Sequence, residues 1–212
     1  FGVGEGVYVR GLQNKKSFAR SVFIAPHFDD DVSNAAKSDF LRTFSVVSEA
    51  EWVTAPDAMY SSAQGNSITL DIDPQSLEPG LHSTRVLMFD ADKPRSIGAE
   101  VIIPVTIAVQ LESDSEHNSV DHATLEQGGL HRSFVMVPHG ANYVDVKVTQ
   151  HGGGRNEYRP GAGSVSALRY YEDRQKRGRF FLEDGDVYTT RVKVEEGTLF
   201  EYAMSARWTT NT

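Results

Sequence analysis

An all-β chain folded as two β-sandwiches is predicted by three observations. Apolar residues recur at alternate positions from Val7 to Met204, turn formers separate the runs, and substantial helical patterning is confined to two short stretches. At 212 residues there is room for two domains of about 100 residues, each able to bury a core.

The elements follow in order. Val22 to Ile24, Phe40 to Val47 and Trp52-Val53 read as short strands, and a short helix is expected between Val32 and Asp39. Ile68, Leu70 and Ile72 alternate with Thr69 and Asp71, which gives a strand one face of which is apolar. Pro74 and Pro79-Gly80 mark tight connections, and His82 to Phe89 is the return strand. Val101, Ile103, Val105, Ile107 and Val109 form one continuous face. Pro104 lies inside that run without an N–H to donate, so an edge or a bulge is expected there. Seven or so strands in the first half is the density of a two-sheet immunoglobulin-like or fibronectin-like sandwich.

From Glu112 to Ser119 the pattern gives way to a wholly polar run. Few core contacts would cross it, so the domains are expected at 1–111 and 112–212. Beyond it, Ser133 to Val137, Val144/Val146/Val148, Val165 to Tyr171, Tyr188 to Val194 and Phe200/Tyr202/Met204 are strands. Gly128-Gly129, Pro138-His139-Gly140, Asp184-Gly185-Asp186 and Glu196-Gly197 punctuate them. The second short helix is expected within Tyr170 to Arg177.

Composition narrows the chemistry. There is no cysteine, which excludes disulfides, thiolate catalysis and sulfur-ligated zinc, and no Asn-x-Ser/Thr acceptor. Both absences fit an intracellular, cytoplasmic origin. Net charge is −8, and both halves carry an acidic excess: 14 acidic against 9 basic side chains in 1–111, and 15 against 12 in 112–212. Nucleic-acid binding is therefore not expected, because phosphate contacts draw on concentrated positive charge. No apolar stretch approaches the roughly 20 residues of a membrane span, so no membrane partner is expected. The first residue is Phe1, which leads to the expectation of a longer parent polypeptide.

Each candidate site has a plainer reading. His27, Asp29 and Asp31 would share one side of an extended backbone and suit a divalent ion, but no calcium-loop glycine follows, and a solvated acidic turn after Pro26 explains the same residues. Serine and seven histidines (His27, His82, His117, His122, His131, His139, His151) are present without a Gly-x-Ser-x-Gly elbow. Gly161-Ala162-Gly163-Ser164 reads as a turn entering the Val165 strand. His151-Gly152-Gly153-Gly154-Arg155 resembles an anion nest but lacks the Lys-Ser/Thr of a nucleotide loop, so a flexible connection to about Gly163 is expected. Arg174 to Arg179, after Tyr170 and Tyr171, is the one basic concentration and suits a solvated hairpin or an acidic protein contact. Tyr8, Trp52, Phe134 and Trp208 would line a sugar platform in an independent carbohydrate- or peptide-binding module, or else fill cores. No residue is assigned a catalytic, cofactor-binding or metal-binding role, and no cofactor is expected.

Several segments carry a family likeness in chain order: Gly6-Val7-Tyr8-Val9-Arg10, Phe23-Ile24-Ala25-Pro26-His27-Phe28, Leu77 to Val86 leading to Val101 to Thr106, Gly129 to Tyr143, and Trp208-Thr209-Thr210. The fullest is Arg132-Ser133-Phe134-Val135-Met136-Val137-Pro138-His139-Gly140-Ala141-Asn142-Tyr143, which is similar to an Arg-x-Phe-Ile-x-Val-Pro-x-Gly-Ala-Thr-Trp run. Together they resemble the region of the tripeptidyl-peptidase II family that follows its subtilisin-like catalytic domain. The resemblance implies an immunoglobulin-like or fibronectin-like first domain and a galactose-binding-like jelly roll. It also implies a cytosolic serine peptidase parent that releases tripeptides from free peptide N-termini and assembles as a large homo-oligomer. The family's Asp, His and Ser triad lies upstream, so this region is expected to be a scaffold that partners the subtilisin-like domain of its own chain.

Overall fold

The computed structural model describes residues 6–10, 16–93, 95–152, 154–165 and 180–207. The chain is all-β and divides into two compact units, Phe1–Leu77 with His82–Ile107, and Glu78–Leu81 with Ala108–Thr212.

The first unit is built from β1 (Val7–Val9), β2 (Phe18–Ile24), α1 (Asn34–Ser38), β3 (Leu41–Ser48), β4 (Val53–Thr54), β5 (Ala58–Ser62), β6 (Asn66–Ile72), β7 (Gly80–Asp90) and β8 (Val101–Val109), the last two running into the second unit at their ends. One sheet has the order β1-β8-β7-β3-β5 and the other β2-β6-β4. Alternation decides what is buried. Ile68, Leu70 and Ile72 of β6 and Ile103, Val105 and Ile107 of β8 are at most 3% exposed, and Phe44, Val46, Val86 and Met88 join them. Each such side chain contributes about 1.5–3 kcal/mol by leaving water. The helix α1 falls inside the expected range, started by Ser33, whose Oγ accepts from the Ala36 N–H at 3.2 Å.

Two sequence expectations are corrected here. Pro104 does not lie on an edge strand, because β8 is flanked by β1 and β7. It is tolerated because β1 is short: the parallel ladder starts at Val7↔Val105, one residue past Gly6 and Pro104. Gly6, at φ +109°, fits only without a side chain, since a Cβ would stand 2.4 Å from the Pro104 carbonyl oxygen. The second correction is an addition. Ala58 to Ser62 forms β5, and Met59 and Ser61 are its buried positions.

The second unit contains β9 (Leu130–Met136), β10 (Tyr143–Thr149), β11 (Asn156–Val165), β12 (Phe180–Leu182), β13 (Val187–Lys193) and β14 (Leu199–Ala206). A four-stranded sheet, β12-β11-β14-β9, accompanies the pair β10-β13. Phe200, Tyr202, Val137 and Val194 pack with Val144, Val146, Val148 and Val192, so one face of β14 meets the apolar face of the pair. A second cluster gathers Tyr158, Phe180, Leu182 and Ala206, with the Phe180 and Tyr188 rings stacked 4.0 Å apart. Phe134 and Leu199, on the opposite face, bury against Ala108.

The expected flexible connection from His151 to Gly163 is overturned, because Asn156 to Val165 is β11 and pairs with β14 from Tyr158↔Ala206 to Val165↔Leu199. Gly161 to Ser164 is accordingly strand and not a turn. Three glycine and proline residues removed the apolar alternation that would have betrayed it, and the pairing is supplied by β14, more than thirty residues away in sequence. The polar run after Glu112 closes on itself: Asp114 Oδ1 accepts from the N–H groups of Glu116 and Asn118 at 2.9 and 2.8 Å. The expected helix within Tyr170 to Arg177, the strand beyond Val165, the basic run from Arg174 and the Trp208 segment lie outside the described residues.

Candidate functional site

His131 and Ser133 stand two residues apart on β9, so both side chains leave the same face of the strand. Asp121 reaches that face from the preceding segment. One oxygen, Asp121 Oδ2, accepts both His131 Nε2, at 2.6 Å, and the Ser133 hydroxyl. Burial pushes the Asp121 carboxyl up, but the hydrogen bonds from His131 and Ser133 outweigh it and hold the group below the usual aspartate value.

A serine, an imidazole and a carboxylate are thus brought together, in an order that does not transfer acyl groups. A nucleophile relay places the imidazole between hydroxyl and carboxylate. Here the carboxylate stands in the middle, and the imidazole nitrogen Nε2 is spent on it instead of on the hydroxyl. The cluster ties the 112–129 segment to β9. Spacing of His131 and Ser133 was visible in the sequence, whereas Asp121 joins them only through the fold.

The other candidates are placed as follows. Between His27 and Asp29, Phe28 turns onto Phe40 with ring centroids 5.2 Å apart, and Asp29 O accepts from the Val32 N–H in a turn leading to α1. Among the described residues no three His, Cys, Asp or Glu side chains gather as a metal site. In the glycine loop the anion is the protein's own: the Gly152 N–H donates to Asp184 Oδ1 at 2.7 Å, and Gln150 Nε2 donates to the carbonyls of Gly152 and Gly154 at 2.9 Å. Of the platform aromatics, Phe134 is wholly buried in the second unit and Tyr8 is 45% exposed under Arg10 in the first, while Trp208 lies outside the described residues. A cleft of about 400 Å³ opens in the first unit between Phe18, Ala19, Thr54, Asp71 and Asp73; no imidazole lines it.

What the first unit does present is an apolar sheet face. Phe44 and Val46 of β3 point into the core, so Thr43, Ser45 and Val47 point out, where register sets Val47 opposite Leu87, Ser45 opposite Phe89 and Thr43 opposite Tyr60. Ile102 and Tyr8 extend the band across β8 and β1, and Tyr60 and Ile102 are 61% and 51% exposed. Charges rim it: Arg85 pairs bidentately with Glu49 at 2.7 and 2.8 Å, which raises the guanidinium pKa, and Arg95 lies over the Phe89 ring.

The model of the first Ig-like domain of tripeptidyl-peptidase II matches residues 2–108, half of the chain. The chain belongs to the tripeptidyl-peptidase II family. Tripeptidyl-peptidase 2 of Drosophila melanogaster is 26% identical over 159 residues, 68% of this chain and 11% of that protein. The Arabidopsis thaliana protein of the same name is 26% identical over 155 residues, 69% of this chain and 11% of that one. A crystal structure of tripeptidyl peptidase 2 (TPP II) superimposes with a TM-score of 0.74 at 20% identity, covering 95% of this chain and 19% of that one. The chain therefore spans about a tenth of the length of the curated relatives it matches. It is an all-β region of a tripeptidyl-peptidase II family protein, with an Ig-like first domain and a β-sheet-rich second one.

Proposed function

We propose that this region is the scaffold of a giant cytosolic serine exopeptidase that removes tripeptides from free peptide N-termini. Its modules, 1–111 and a galactose-binding-like jelly roll at 112–212, position the upstream subtilisin-like domain and support a homo-oligomer. The observation that carries the reading is the outward face of the five-stranded sheet, where Val47, Tyr60, Leu87, Phe89 and Ile102 form a charge-rimmed apolar band. Bands of this kind mark docking surfaces, because a sheet whose outer face is solvated normally carries polar residues there. Family membership supplies the partner.

The test pairs the 212-residue chain with a separately produced catalytic region of the same parent. Wild-type chain is expected to bind it, to show no peptidase activity alone, and to lose binding at least tenfold on Leu87→Glu or Tyr60→Glu, since each sets a carboxylate in a buried apolar contact. Tyr60→Glu is the safer of the two for folding, its side chain being largely exposed. Failure of the wild-type chain to bind, or binding that is indifferent to both substitutions, would remove the docking role.

A further inference from the structure

Among the described residues β2 is an edge strand, with β6 as its one neighbour. β10 and β13 are also seven-residue edges among the described residues, but each carries two charges, Asp145 and Lys147 or Arg191 and Lys193, which guard it. The remaining edges are short or carry a contact. β1 and β12 have three residues each; Asn66 Nδ2 donates to the Tyr60 carbonyl on the rim of β5 at 3.0 Å; and the Leu111 N–H takes the Phe134 carbonyl of β9 at 2.7 Å. β2 has seven residues, no proline, and one charge, Arg20. Natural edges of that length are normally guarded.

The register shows which backbone groups are open. Ile24, paired with Asn66, carries its carbonyl toward the β5–β6 turn, where a Cβ on Gly65 would stand 2.6 Å from it. Alternation along an antiparallel ladder then directs the N–H and C=O groups of Ala19, Ser21 and Phe23 away from β6. Consistently, the Ala19 carbonyl takes the Arg20 guanidinium at 3.4 Å, a long contact that a better donor can displace.

The sequence of the strand is complementary to itself about Ser21. A two-fold axis there sets Ser21 against Ser21, Ala19 against Phe23, Arg20 against Val22 and Phe18 against Ile24. Every position meets a partner of compatible size, large ring against small methyl or aliphatic, and the two arginines fall on opposite sides of the axis. Six backbone hydrogen bonds close, from Ser21 to Ser21 and between Ala19 and Phe23 in both directions. Phe23, 65% exposed in one chain, gains cover. We infer that β2 pairs antiparallel with β2 of a second copy of this chain, joining two three-stranded sheets into one. Isologous contacts of this form close as dimers and do not propagate. The inference is independent of the sheet-face docking above, which uses the other sheet.

A chain without cysteine makes the test direct, because any introduced thiol is unique. Cα atoms of a hydrogen-bonded antiparallel pair lie about 5.5 Å apart, within disulfide reach. Ser21→Cys, oxidised with copper phenanthroline, is expected to give one covalent dimer. Thr69→Cys, opposite Ser21 on β6 and one strand further from the axis, is expected to give none. Light scattering should show a concentration-dependent dimer of the unmodified chain that is lost in Ser21→Pro, which deletes an outward N–H, and in Phe23→Lys, whose folding the edge position spares. A monomer at all concentrations, equal cross-linking of both thiols, or a dimer that survives both substitutions would overturn the pairing.

Discussion

Glu201 is 3% exposed in the middle of β14, and a carboxylate survives there because Nε and Nη2 of Arg132 both reach its Oε1 at 2.7 Å. The pair lies on the face that also buries Phe134, whose ring the Arg132 guanidinium covers at 5.5 Å. Removing one partner is worse than removing both, because the survivor is left desolvated. Arg132→Met is therefore expected to cost about 3 kcal/mol in urea unfolding, at the lower end for a buried pair since Arg132 is partly exposed. Arg132→Met with Glu201→Met is expected to recover most of that loss. A single substitution as mild as the double one would show that the second unit does not rely on the pair. The first unit uses the same device at its rim, where Asp90, 4% exposed, is held by Arg42 at 2.6 Å and Lys93 at 3.2 Å.

At the scale of elements, the strands legible in the sequence were those whose own side chains carry the alternation. β6 and β8 are the clearest, with Ile68, Leu70, Ile72, Ile103, Val105 and Ile107 all buried. β11 was illegible because Pro160, Gly161 and Gly163 have no apolar side chains to count; the register comes from Leu199, Phe200 and Tyr202 opposite. β5 was hidden by serines, one of them buried, and the Asp121 cluster by the absence of any local rule that joins a loop carboxylate to β9. The same limit applies to Gln150, which looks like an ordinary polar residue after β10. It is 7% exposed, bridges two loop carbonyls with its amide nitrogen, and accepts the Tyr158 hydroxyl at 3.2 Å. Gln150→Ala leaves the buried Tyr158 hydroxyl without its acceptor and releases the carbonyls of the exposed Gly152 and Gly154, and is expected to destabilise the second unit by about 1 kcal/mol. Hydrogen exchange should accelerate at Gly152 and Gly154 while β6 amides stay protected; unchanged protection in the loop would show that Asp184 alone holds it.

For the whole molecule, the charge balance and the placed carboxylates act in opposite directions as pH falls. The net charge of −8 penalises compactness, and protonation of unpaired acids relieves that repulsion below neutrality. Four aspartates oppose the trend at lower pH, each held below the ordinary value of 3.8. Asp90 is held there by the Asp92 N–H and then by Lys93 and Arg42, and Asp114 by the backbone and side chain of Asn118. Asp121 is held by His131 and Ser133 against the penalty of burial, and Asp145 by the Arg191 fork. A depressed folded-state pKa means that the unfolded chain binds protons first. Its stabilisation is complete above about 3.8 and is lost as pH falls through the lower folded values. At the other extreme, burial and then the neighbouring Tyr188 push the Tyr202 hydroxyl up to about 12, so the unfolded chain gives up that proton first and stability declines as pH rises above 10. The lysine and arginine partners, Lys93, Arg85 and Arg191, have raised values and stay charged throughout the acid range. The urea midpoint is thus expected to hold or rise slightly from pH 7 to about 4.5, then to fall steeply below 3.8, with a separate decline above pH 10. Asp145→Asn with Asp114→Asn, both surface changes, should flatten the acid limb without moving the alkaline one. An acid limb unchanged by that pair would assign acid unfolding to net charge and not to the placed carboxylates.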